Sequence, residues 1–144
     1  MFFPLLLSLT ACKWEQKREL SRNREKWRAQ NITNYQYKVS IISSWGANQL
    51  MPLTMVYQNR QLVSVVDHEG NAQELYWHTL GGIDVIFQEV DDALAHRKRD
   101  LTEITYDPTY GFPTYVDIFY HETGVGAEDT KRYTISDFEI LTAP

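Results

Sequence analysis

Few side chains among these 144 residues could attack a substrate, hold a metal or form a covalent adduct. The chain has one thiol, Cys12, and four imidazoles, His68, His78, His96 and His121. No two of these histidines stand at the i, i+4 spacing that lets one helix face offer a pair of imidazoles to a metal. Asp67-His68-Glu69 supplies oxygen and nitrogen donors, but neighbours in a loop diverge from a common centre, so a solvated turn is expected. His121-Glu122 closes a predicted strand. His96 lies near a predicted helix C-terminus, where an imidazole suits the helix dipole and needs no further task. Asp91-Asp92 and Asp117 could pair with other carboxylates in space, yet such groups on a helix face are ordinarily solvated. A nucleophile elbow, a glycine-rich phosphate loop and a dinucleotide fingerprint are missing from the sequence. The residues therefore predict no catalytic group, no metal site and no cofactor.

The thiol is the strongest nucleophile of the set, and its setting gives it meaning. Met1 to Ala11 reads MFFPLLLSLTA, an apolar run closing on small residues and too short to cross a bilayer as a helix. Leu9-Thr10-Ala11-Cys12 resembles the lipobox of bacterial lipoprotein signal peptides. That resemblance implies a signal peptide over residues 1–11, cleavage before Cys12, and a diacylglycerol thioether with further acylation of the new amine. Two or three acyl chains such as palmitate, at about 0.8 kcal/mol per buried CH₂, make a durable anchor. The implied location is the bacterial cell envelope, with the chain held in a membrane through Cys12 and facing periplasm or exterior. The leader departs from the usual pattern in one respect, since neither Lys nor Arg precedes the apolar run. With Cys12 lipidated, the domain must hold without a disulfide.

Composition fits one small core: 43% of residues are hydrophobic and 23% charged, which argues against disorder. Aromatic residues reach 13% and favour strands. The net charge of −5 hides a division. Residues 13–28 hold seven Lys or Arg against three Glu, whereas the chain from residue 29 has seven basic and sixteen acidic side chains. An acidic body repels phosphate backbones, so nucleic acid is a poor partner. Residues 12–23 read as the anchor and a basic helical spacer, and residues 24–144 as a single α+β domain.

The elements follow from periodicity. Residues 13–31 have helical composition but a thin apolar stripe through Leu20 and Trp27, so the first turns are expected to stand in solvent and only the end to dock, the alternative being a basic collar lying on anionic lipid headgroups next to the anchor. Strand alternation starts at Tyr35, with Tyr37, Val39 and Ile41 on the same face, and returns in Met51 to Tyr57. Asn59-Arg60 then reads as a tight turn into Leu62 to Val66, because Asn tolerates positive φ. Asp67 to Asn71 reads as a polar loop. Ile83, Ile86, Phe87, Val90 and Leu94 form one unbroken helical face, which predicts a helix over Ile83 to Arg97 with Asp84 in its first turn and Arg97, Lys98 and Arg99 at its end. Strands are predicted over Leu101 to Tyr106, Pro113 to His121 and Lys131 to Leu141. The result is helix, three strands, helix, three strands, in an antiparallel sheet of about six strands with the second helix packed on it.

One segment stands apart: Tyr106-Asp107-Pro108-Thr109-Tyr110-Gly111-Phe112-Pro113-Thr114. Pro108 sets φ for a turn after Asp107, whose carboxylate can accept nearby amides. Gly111 permits positive φ, and Pro113 holds Phe112 extended. An aromatic–Pro bond also favours cis more than most. This segment resembles the Y-D-P-x-Y-G-[FY]-P-T motif of a bacterial family of short, often lipid-anchored proteins described only as a domain of unknown function. Trp27, Tyr35-x-Tyr37 and the amphipathic helix are similar to that family too, over roughly residues 24–140. Where many members have C-x-C after the first strand, this chain has Ser43-Ser44-Trp45, so no redox or metal role passes to it. The resemblance implies an architecture and a location but no activity.

The leading expectation is a non-catalytic binding module of the envelope whose partner is a protein, peptide or glycan. Tyr110 and Phe112 would project from the motif loop as anchors, on a turn shaped by Asp107. One alternative is an envelope hydrolase, which requires a pocket where His68, His78 or His121 meets a carboxylate. Another is a carrier of an apolar ligand, which requires an internal cavity.

Overall fold

A computed structural model describes residues 5–43, 49–74, 82–121 and 129–143. Ser44-Trp45, His78 and Glu122 lie outside these residues. The first helix, α1 (Leu5–Ala29), contains neither Gly nor Pro, and no helix among the described residues is long and apolar enough to cross a membrane. It stops where Asn31 adopts φ 52°, a left-handed cap that residues other than Gly and Asn adopt at a cost. Three strands follow: β1 (Tyr35–Ser43), β2 (Gln49–Gln58) and β3 (Gln61–Val66). Helix α2 (Ile83–Ala95) leads to β4 (Arg99–Tyr106), β5 (Pro113–Tyr120) and β6 (Asp129–Ile140).

The α+β order holds: two helices and one six-stranded antiparallel sheet, ordered β3-β2-β1-β6-β5-β4. Each half is a meander, and the halves join through β1 and β6. A two-fold relation between halves would put β1 and β4 both at the centre or both at the edges, so the halves are not symmetric copies. The β2–β3 hairpin turns on Asn59 and Arg60, both at positive φ (51° and 65°), as the two-residue turn demands. Alternation sends Tyr37, Val39, Met55, Val65, Val116, Ile118 and Tyr133 to one face, where all are buried. Onto that face pack Ile83, Ile86, Phe87, Val90 and Leu94 of α2, together with Leu20 and Trp27 of α1.

Two expectations are corrected. Helix α2 ends at Ala95, not Arg97: His96 is already extended (φ −99°, ψ 132°), and Arg99 belongs to β4, so the basic run sits outside the helix. The part of α1 from Lys13 onward is not a free spacer. Lys13 donates to the carbonyls of His96 (3.3 Å) and Arg99 (3.2 Å), Gln16 donates to that of Leu101 (3.1 Å), and Arg24 to that of Phe87 (2.8 Å). Side chains too polar to register as an apolar stripe dock the helix by capping carbonyls of the α2–β4 region.

Candidate functional site

The Tyr106–Thr114 motif is built as a clasp. The Asp107 carboxylate accepts the amides of Thr109 (2.8 Å) and Tyr110 (2.7 Å), and its own backbone exchanges bonds with Gly111 and Phe112. The turn presents carbonyls to α1: Pro108 accepts from Lys26 and Thr109 from Gln30 (3.3 Å). Gly111 has φ 87°, and a Cβ there would lie 2.6 Å from the backbone oxygen of Asn23 and 3.2 Å from the Trp27 nitrogen. Only glycine lets the loop press so closely on the helix. The Phe112–Pro113 bond is trans.

This geometry corrects the expected display of aromatic anchors. Phe112 is 2% exposed, with its ring 5.7 Å from Trp27 and 4.6 Å from Phe138. Tyr110 is half-buried against Phe138 at 5.0 Å. Clamping the loop onto α1 turns both rings toward the core, where burial of so large an apolar surface outweighs display. Asp107 keeps the turn-shaping role its position suggested.

The aromatic chain continues just beneath the surface at the end of α1. Trp27 touches Phe112 on one side and Tyr35 on the other (5.4 Å, edge to face), and Tyr35 stacks on Tyr57 at 4.8 Å. Beyond these rings opens a cleft of about 500 Å³, within the usual range for ligand pockets. Only the edges of Trp27, Tyr35 and Tyr57, each 7–8% exposed, line its floor, and Arg28, Arg60 and Asp84 provide charge. Its wall includes the start of α2, where Gly82 supplies no side-chain cap. Burial, then Tyr57 and Asp84, push the Tyr35 hydroxyl far above the ordinary tyrosine range. Burial also raises Tyr57, which accepts a bond from Tyr37 (3.4 Å). These phenols are neutral donors at any physiological pH.

Hydrogen bonds tie the rim of the cleft. Arg60 donates its amide to the Thr33 carbonyl (2.9 Å) and its guanidinium to Asn31, while the Asn59 amide donates to the Asn34 side chain (2.9 Å). The hairpin is thus pinned to the end of α1, with the Arg60 side chain beside the aromatic floor. The sequence reading missed this site. Its lining comes from segments at 27–35, 57–60 and 82–85, and nothing in their spacing tells that they converge. The one local signal is Arg60, an arginine in a position that glycine or asparagine would fill more easily.

The other candidate groups have partners that explain them. His121 meets Asp100 at 2.6 Å, with both side chains about half exposed at the sheet end. His68 lies 3.7 Å from Glu69 in the exposed loop, whose Asp67 carboxylate accepts the amides of Glu69 and Asn71. Those bonds, that from the Asn71 backbone first, hold Asp67 below the ordinary aspartate range. Asp117 meets Arg132 (3.1 Å), Asp91 meets Arg24 (3.6 Å), and Asp92 accepts from Gln88 (2.9 Å). His96 turns its Nδ1 to the Lys98 amide (3.2 Å). None of these groups lines the cleft. Among the described residues no cluster of His, Cys, Asp and Glu could hold a metal. Cys12 is exposed on α1.

Residues 19–140 match the family of unknown function DUF6174, and the chain belongs to that family. No curated protein and no solved structure shows significant similarity to it.

Proposed function

We propose that this DUF6174 protein is a membrane-anchored envelope lipoprotein, acylated at Cys12, whose domain is a non-catalytic binding module. The observation that carries the binding reading is the aromatic cleft flanked by Arg28 and Arg60. Guanidinium forks at the rim, above the edges of buried aromatic rings, suit a peptide or glycan segment that carries an anionic or hydroxyl-rich group. Cys12 supports the anchor because it lies on the outer surface of α1, at the end of a leader-like sequence.

The cleft reading is tested with Arg60→Gly. At φ 65° glycine relieves left-handed strain of about 1–2 kcal/mol, which offsets the lost bond to Asn31. The variant is expected to melt within about 1 kcal/mol of the parent. Photo-crosslinking in cells, from a reactive residue at Val85 on the cleft wall, should trap an envelope partner in the parent and much less in this variant. Equal trapping by a folded Arg60→Gly chain would sink the cleft as the binding site.

A further inference from the structure

Lys13, Gln16, Leu20, Arg24 and Trp27 fasten α1 to the domain, which leaves another flank of the same helix uncovered. That flank holds Trp14, Lys17, Arg18, Ser21, Arg22 and Glu25, spaced at i, i+3, i+4, i+7, i+8 and i+11. Trp14 is 60% exposed, the largest exposure among the described large hydrophobic side chains, and the Arg18 guanidinium lies 4.8 Å from its ring centre. A tryptophan left in solvent beside arginines and a lysine is poorly placed in water. It is well placed at the interface of a bilayer, where the indole enters the headgroup layer and the cations meet phosphate.

We infer that this flank of α1 seats on an anionic phospholipid surface. Lys17, Arg18 and Arg22 bring three positive charges against the carboxylates of Glu25 and of Glu15, which pairs with Arg18 at 3.9 Å, and Trp14 supplies the apolar contact. The inference rests on the proposed anchor in one respect: Cys12 stands two residues before Trp14, near enough along the chain for its acyl chains to enter the leaflet on which the stripe seats. Since Lys13 is bonded to carbonyls beyond α2, the anchor is joined to the domain by a docked helix and not by a loose tether. The domain is consequently held at the membrane in one orientation, set by the Trp14–Arg22 stripe.

The test uses the full chain with Cys12→Ser, which removes any acyl chain, and vesicles of phosphatidylcholine with or without phosphatidylglycerol. Binding to the anionic vesicles should be at least tenfold tighter than to the neutral ones, and should fade in 0.5 M salt (about a 4 Å screening length). Lys17→Glu, Arg18→Glu and Arg22→Glu together should remove at least tenfold of that preference without altering the circular dichroism spectrum. In the unreversed chain, Trp14→Ala should weaken binding severalfold, an arm that does not depend on the triple variant folding. Equal affinity for both vesicle types overturns the stripe. Mass spectrometry of the membrane-extracted parent judges the anchor separately. An unmodified thiol with intact vesicle preference refutes acylation alone, and an acylated chain whose Cys12→Ser form lacks preference refutes the stripe alone.

Discussion

At the scale of single residues, the motif earns its composition from backbone geometry. Gly111 is the sharpest case, because it combines a left-handed φ of 87° with a helix backbone 2.6 Å from where a Cβ would stand. Gly111→Ala should cost about 2–5 kcal/mol, from left-handed strain of about 1–2 and overpacking of about 1–3. Urea melts read this directly, and a loss under about 1 kcal/mol would mean that the loop does not press on α1 as described. Asp107 works on the same turn by accepting two amides, and Phe112 completes it by filling the space beside Trp27. The sequence made the turn chemistry of Asp107, Pro108 and Gly111 legible, because those preferences are local. It could not say which way Tyr110 and Phe112 face, since that depends on a helix more than 75 residues earlier in the chain.

At the scale of elements, α1 holds the molecule together although its apolar stripe is narrow. Leu20 is 2% exposed, and around it Lys13, Gln16 and Arg24 each donate to a carbonyl of the α2–β4 region. Leu20→Ala is expected to destabilise by about 2–5 kcal/mol, as for other fully buried leucines. Native-state hydrogen exchange should show amides after residue 16 of α1 protected to nearly the same degree as those of β1. If they exchange as freely as a frayed terminus, the docked helix is wrong and the free spacer is right. Helix α2 was readable from its unbroken 3.6-residue period, and its end was misjudged for a physical reason. Arg97 to Arg99 suit a helix C-terminus, but edge pairing of Arg99 with Tyr120 extends β4 backwards and takes those residues out of the helix.

At the scale of the whole molecule, the sheet keeps its phenols in a low-dielectric interior. Tyr35, Tyr37, Tyr57, Tyr106, Tyr120 and Tyr133 all titrate above the ordinary tyrosine range, mainly through burial. A folded-state pKa above the unfolded one means that the native state binds protons more tightly. The stability this confers is complete below about pH 10, the unfolded value, and is lost as pH rises beyond it. Ultraviolet titration should therefore show these tyrosines ionising together, in step with loss of near-ultraviolet dichroism. Gradual ionisation near pH 10 with the fold intact would contradict the burial. Around this core, β1 and β6 tie the two meanders, and the cleft forms where the end of α1, the β2–β3 hairpin and the start of α2 meet.

The sequence by itself determined which segments are helix and which are strand, which face of each is apolar, where the tight turns fall, and that Cys12 is the one thiol on offer. All of these rest on periods of two or 3.6 and on the φ preferences of Gly, Asn and Pro, which act within a few residues. Only the tertiary structure decided the strand order with β1 beside β6, the inward turn of Phe112, the docking of Lys13 and Gln16, and the meeting of Arg28, Arg60 and Asp84. Those arrangements join residues about 25–100 positions apart. They are selected by the packing of the whole core, and no local preference encodes them.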